Sequence, residues 1–131
     1  NGKKFKLGSN SWLSIHSWRS GDSLCVIHLD GINILNVNDC IISTIKDCKI
    51  LKKIINKLGI FSIDILFTQF GYASWCGNEE DKHQRIYEAE EKLKRIALQI
   101  KILSPKNTLL FASFVYFSNE FNFYLNGLQI N

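Results

Sequence analysis

The stretch SLCVIHLDGINILNVNDC, Ser23 to Cys40, holds two apolar runs divided by Asp30-Gly31. Asp-Gly between apolar runs is a strong short-range hairpin signal, because both residues tolerate the positive φ that a two-residue turn needs. Ser23 to Leu29 and Ile32 to Val37 therefore read as paired strands, and Asn38-Asp39-Cys40 leaves the sheet at its C-terminal end. Upstream, Ser11 to Trp18 alternates weakly and ends in the turn residues Arg19-Ser20-Gly21-Asp22. It adds one more strand, hairpin-paired to the next.

Downstream the period changes from strand to helix. Ile50, Leu51, Ile54, Ile55 and Leu58 recur at helical spacing, which predicts a helix from about Asp47 to Leu58 with Gly59 as its C′ residue. Ile63 to Gln69 is nearly continuously apolar and reads as a strand buried on both faces. Phe70 to Asp81 is a long loop. The longest helix runs from about Lys82 to Leu103 on a stripe of Ile86, Ala89, Leu93, Ile96, Ala97, Ile100 and Leu103, and Pro105 ends it. Its outer face offers Glu88–Lys92 and Glu90–Lys94 pairs in the favourable order. Thr108 to Phe117 reads as a last buried strand, and beyond Ser118 no period is clear. The order is β-β-β-α-β-α-β. Helical crossovers separate the last three strands, so these can run parallel. This is a single α/β domain over residues 1–131, a mixed β-sheet with flanking helices.

Bulk properties narrow the function classes. The 131 residues are 46% apolar, enough for one packed core. No apolar run reaches the ~18 residues of a membrane span, and no signal-peptide h-region follows the charged start. The net charge of +4 owes much to Lys46, Lys49, Lys52, Lys53 and Lys57. A nucleic-acid patch would add arginines and aromatics beside them. This helix has neither, so it reads as a solvated face, with no nucleic-acid or membrane partner expected. Cys25, Cys40, Cys48 and Cys76 form no CxxC pair. Together they suggest a reducing, cytoplasmic compartment. The sequence has no methionine and stops in the apolar-rich stretch Phe121 to Ile130, so a segment of a longer polypeptide is expected.

Chemistry in open α/β sheets gathers beyond the C-terminal strand ends. There lie Asn36 to Cys40, Thr68 to Asn78 and Ser113 to Asn119, rich in Asn, Asp, Gln, Ser and aromatics. Asp39 is open to two readings, a cap for the following turn or a functional carboxylate. The histidines His16, His28 and His83 are scattered. His28 reads as a strand residue and His83 as a surface residue, whereas His16, at the end of its strand, stays open. Phosphate-loop, dinucleotide, serine-hydrolase and HExxH motifs are absent, as is HxHxDH.

Three strings occur together: ILNVNDC (Ile34 to Cys40), DILFTQFGYASWCGN (Asp64 to Asn78) and LLFASFVYFSNEFNFYLN (Leu109 to Asn126). In this order they resemble the C-terminal half of the metallo-β-lactamase-fold hydrolases, most nearly the branch of CMP-N-acetylneuraminate hydroxylase-like proteins. The resemblance implies half of an αββα sandwich and a divalent metal, zinc or iron, in the full-length protein. It implies that Asp39 stands where the metal-bridging aspartate does, and that His16 takes the place of the intermediate histidine. The sequence departs from that pattern at the late histidine, where Phe111-Ala112-Ser113-Phe114 stands instead. The HxHxDH motif of the first half is also missing. The expected reading is a fragment of a metal-dependent hydrolase-like protein, inactive alone, partnered by a missing N-terminal half-domain or by self-association. The alternative is a non-enzymatic interaction or structural domain that has lost the metal site, for which the aromatics Phe117, Phe121, Phe123 and Tyr124 would be a contact surface. One carboxylate and one imidazole cannot fill a four-ligand zinc site. Titration calorimetry of the chain with zinc is therefore expected to show no stoichiometric sub-micromolar site, and finding one would overturn the incomplete ligand set.

Overall fold

The computed structural model describes residues 1–19, 21–72, 75–111 and 116–128. The chain opens with β1 (Lys4–Gly8), β2 (Ser11–Ser17), β3 (Ser23–Leu29) and β4 (Ile32–Asn38). Then follow α1 (Ile45–Lys57), β5 (Ile65–Gln69), α2 (Lys82–Leu103), β6 (Asn107–Phe111) and a 3-10 helix, Glu120–Leu128. Among the described residues the strands form one sheet in the order β1-β2-β3-β4-β5-β6. Neighbours from β1 to β4 are antiparallel, and β4, β5 and β6 are parallel. The fold is thus the α/β class read from the sequence. Asp30 (φ 45°) and Gly31 (φ 92°) make the turn between β3 and β4, both with the positive φ of a primed hairpin.

Strand β1 is additional to the expected order. Lys3, Lys4 and Lys6 mask it, leaving Phe5 and Leu7 as its apolar positions. Lysines on an edge strand oppose pairing with other chains, so the residues that hide the strand in the sequence suit its place at the sheet edge. At the other edge, β6 starts at Asn107 and is described to Phe111; residues 112–115 of the expected last strand lie outside the described residues.

Helix α1 begins at Ile45, ahead of the expected Asp47, because Thr44 and Asp47 form a reciprocal capping box. The Thr44 hydroxyl accepts from the Asp47 amide at 3.1 Å, and the Asp47 carboxylate accepts from the Thr44 amide at 3.1 Å. Gly59, at φ 82°, follows the helix as expected. Both helices lie on one face of the sheet. There Leu24, Val26, Leu35, Val37 and Leu66 form the core with Leu51, Ile55 and Leu103.

Among the described residues nothing covers the opposite face. Strand registers set Phe5, Leu13, Ile27, Ile34 and Ile65 side by side across five strands. The next row is Ile15, Cys25, Asn36, Phe67 and Leu109. Phe5 is 52% exposed, Ile15 48% and Leu109 47%, against 0% for Leu24 and Leu66 on the helix side. This corrects the reading of β5 as buried on both faces: Ile65 and Phe67 are only half-buried, since no described element lies over them.

The stripe expected on α2 is also corrected. Leu93 and Ile100 are exposed, and the buried positions are Arg85, Ile96, Gln99 and Leu103. Ile96 and Leu103 are buried as expected, Leu103 in the apolar core, while Gln99 faces inward to Thr68 and Ile42. Lys94 pairs with Glu90 at 3.7 Å on the exposed face, where such a pair contributes little. The expected Glu88–Lys92 pair is replaced by a hydrogen bond from Lys92 to the Gln69 amide oxygen. The C-terminal aromatics divide. Phe117 and Tyr124 pack against the small cluster of Tyr72, Cys76 and Leu125, whereas Phe121 and Phe123 stay exposed. Among the described residues no helix is long and apolar enough to cross a membrane.

Burial pushes the Asp47 carboxyl up, but the Thr44 hydroxyl, Arg19 at 2.8 Å and the Thr44 amide outweigh it, and the group sits below its ordinary value. Its stabilising contribution is complete above the unfolded carboxylate pKa of about 3.9 and is lost as pH falls through the lower folded value. Asp47→Asn is expected to lower stability by about 1 kcal/mol near neutral pH. It should also flatten the acid limb of a stability-versus-pH curve measured by urea unfolding; a variant with the parent curve would remove this role.

Candidate functional site

The polar end of the sheet is organised by one buried side chain. Gln99 of α2 accepts a hydrogen bond from the Thr68 hydroxyl at 2.8 Å and donates to the Ile42 carbonyl at 3.2 Å. It is wholly buried, and Thr68 nearly so. Unpaired buried polar groups are costly, so both bonds have to be made together. They tie α2 to the end of β5 and to the segment that follows β4.

That segment turns sharply. The Asn36 side-chain oxygen accepts from the Asn38 amide at 3.0 Å, and Cys40 N donates to the Val37 carbonyl at 2.8 Å. Asn38 takes φ 37°, a left-handed conformation that asparagine tolerates better than most residues. The turn leaves Asp39 exposed at the mouth of the strand end. Asp39 does not cap α1, because Thr44 does; the hydrogen bond it accepts is a long one from the Asn38 side-chain amide, 3.4 Å.

The loop from β5 to α2 forms the other wall. Arg85 donates to the carbonyls of Asn78 and Glu79 and stacks on Tyr124 at 4.9 Å. Tyr124 in turn donates to the Gly77 carbonyl at 2.9 Å. Gly77 has φ 113°, and a Cβ there would come within 2.9 Å of the Asp81 Cβ, so a larger residue cannot sit at this bend without displacement. The Tyr72 hydroxyl donates to the Leu125 carbonyl at 2.7 Å. The 3-10 helix thus holds the loop from below.

Between these walls lies a cleft of about 750 Å³, in the size range of small-molecule sites. Asn38, Asp39, Gln69 and Trp75 line it from the strand ends and the loop, and Glu88, Lys92 and Arg95 line it from α2. Lys92 and Arg95 are half-buried. Burial and then the neighbouring Arg95 push the Lys92 ammonium below its ordinary value, against the opposing pull of Asp39 and Glu88. Burial lowers Arg95 in the same way.

His16 is elsewhere. It stands on the helix side of β2, paired across to Leu24, and lines a second cleft of about 420 Å³ with Ile54, Lys57 and Leu58. Its Nε2 lies 3.0 Å from the Ser14 hydroxyl. Burial, and then the amino terminus, hold its imidazole below the ordinary value. β2 and β4 run in the same direction and are separated by β3, so His16 and the end of β4 are about 10 Å apart by strand spacing. His16 and Asp39 line separate clefts. Among the described residues no three His, Cys, Asp or Glu side chains gather as a cation site. Ala112, Ser113 and Phe114, at the late-histidine position, lie outside the described residues.

Lys92, Arg95, Glu88 and Gln99 were not singled out as site residues in the sequence. Their signal was available: Lys92, Ile96, Gln99 and Leu103 fall on one helical face, and a polar residue within a buried stripe marks a polar contact. No protein-family model matches the chain, and neither curated proteins nor solved structures yield a similar protein.

Gln99→Ala removes both hydrogen bonds at once. It leaves the Thr68 hydroxyl and the Ile42 carbonyl unsatisfied, which is expected to cost about 1–3 kcal/mol of stability. A urea unfolding midpoint unchanged from the parent chain would contradict this.

Proposed function

We propose that the chain is one α/β layer of a two-sheet αββα sandwich related to the metallo-β-lactamase-fold hydrolases, and that it acts only when a second layer covers its bare sheet face. The observation that carries this reading is the one-sided burial of the sheet: two helices cover one face, and two aligned rows of mostly apolar side chains face outward on the other. Six strands at ~4.8 Å spacing and about 20 Å long span roughly 500 Å² in plane, at the scale of the largest apolar patches left open on soluble monomers. The covering surface is a second sheet with an apolar face, packed at about 10 Å as sheets in sandwiches are.

In this reading Asp39 is the contribution of this layer to a divalent-metal site, zinc or iron. It is exposed at a strand end, free of capping duty, and beside a polar cleft. The described residues do not gather such a site, and in this reading the imidazoles belong to the covering layer. When bound, such an ion lowers the pKa of its water to ~7. A second reading is a non-catalytic layer that associates through the same face; the exposed Phe121 and Phe123 favour it as contact residues. Four unpaired cysteines are in keeping with a reducing, cytoplasmic setting for either.

Association of the isolated chain tests the layer. Its bare face should drive self-association in sedimentation, and Ile27→Lys, in the middle of that face, should return it to monomer; a parent chain that is monomeric at high concentration would count against the proposal. In a polypeptide that carries both layers, Asp39→Asn should lower the bound metal, whereas unchanged metal content would favour the non-catalytic reading.

A further inference from the structure

The cleft at the ends of β4 and β5 presents two cations that close no ion pair among the described residues. Lys92 and Arg95 are one turn apart on α2 and both line it. The ion pairs of the described residues are elsewhere: Arg19–Asp47, Lys94 with Glu90 and Glu91, and Lys106–Asp64. Lys92 could turn to Glu88, its neighbour in the order that favours pairing on a helix. It reaches across to Gln69 instead, and so stays over the cleft. Among the described residues Arg95 makes no ion pair, and its buried Nε meets no acceptor.

A solvated helix face does not account for this. Long cationic side chains on such a face extend their charged heads into water, whereas these two are half-buried beside each other. Like charges one turn apart repel on a helix, and partial burial strengthens the repulsion. Asp39 and Glu88 temper it at Lys92, and Glu88 and Glu91 at Arg95, without closing an ion pair among the described residues. An anion between the two cations would relieve it with charge-assisted bonds, for which the guanidinium is shaped. At the rim Trp75 is 63% exposed, a flat surface that an organic body can lie against.

We propose that this cleft binds a small organic oxyanion, a phosphate or a carboxylate, with Lys92 and Arg95 holding the charged group and Trp75 flanking the body that carries it. The site rests on this layer's own residues and does not depend on a metal or on the second layer.

Titrations of the chain with phenyl phosphate, benzoate and the neutral benzyl alcohol test it, followed by two-dimensional NMR of backbone and indole amides. Phenyl phosphate or benzoate should shift the indole of Trp75 and the amides around Lys92 and Arg95, with binding that weakens as salt rises; which of the two binds identifies the oxyanion. Benzyl alcohol should not. Lys92→Gln and Arg95→Gln should each weaken binding at least tenfold, Lys92→Arg should largely retain it, and Lys94→Gln on the exposed face should leave it unchanged. The proposal is overturned if neither anion shifts these signals at millimolar concentration, if benzyl alcohol binds as well, or if Lys94→Gln weakens binding as much as the cleft variants. The parent-chain titrations decide even if a glutamine variant fails to fold.

Discussion

The hydrogen bonds of Gln99 fix the working end of this molecule. A glutamine buried between a helix and a sheet is tolerated only when both ends of its amide are satisfied. Here one end takes the Thr68 hydroxyl and the other gives to the Ile42 carbonyl. These bonds join β5, α2 and the segment after β4, three pieces distant in sequence. The amide permits no sliding of α2 along the sheet, because a shift would strand Thr68 or Ile42. Lys92 and Arg95, two turns and one turn before Gln99, are thereby held over the strand ends, opposite Asp39 and Gln69.

The second constraint is the one-sidedness of the sheet. Each parallel crossover carries a helix to the same face, where Leu35, Val37 and Leu66 meet Leu51, Ile55 and Leu103. The alternation of side chains along a strand then sends an equal number of residues to the other face. In β3, β4 and β5 those residues include Cys25, Ile27, Ile34, Asn36, Ile65 and Phe67, all but one of them apolar. Solvent-facing positions of an open sheet are ordinarily polar. Apolar residues there are what a second packed layer requires, so the same strands that build the core also supply a contact surface. The cleft opens beside that surface, at the sheet end where α/β proteins place ligands.

Much of the fold was legible. Asp30-Gly31 announced the hairpin because few other pairs accept two positive φ angles, and the helical spacing of Ile50 to Leu58 announced α1 with Gly59 behind it. Strand β1 was hidden because its lysines, useful at an edge, erase the apolar alternation. On α2, Ile96 and Leu103 of the apolar stripe are buried, but Leu93 and Ile100 are exposed and Gln99 takes an inward position, because Thr68 and the Ile42 carbonyl offer it partners there. The pairing of Lys92 with Glu88 failed for the same reason: local spacing offers the pair, but Gln69 arrives from across the cleft. Among the site residues, Asp39 was legible as a strand-end carboxylate. Its freedom from capping was not, because it depends on Thr44 and Asp47 completing a capping box of their own.

The sequence by itself determined the elements and their order, because turn chemistry, helical periodicity and β-alternation act over a few residues and are written there. Only the tertiary structure decided which faces those elements cover and which side chains meet. It turned Lys92 and Arg95 toward the end of β4, set His16 in a different cleft from Asp39, and left a β5 of apolar composition uncovered on one side. Those outcomes depend on how layers stack and which distant polar groups satisfy one another, and neither is encoded in local spacing.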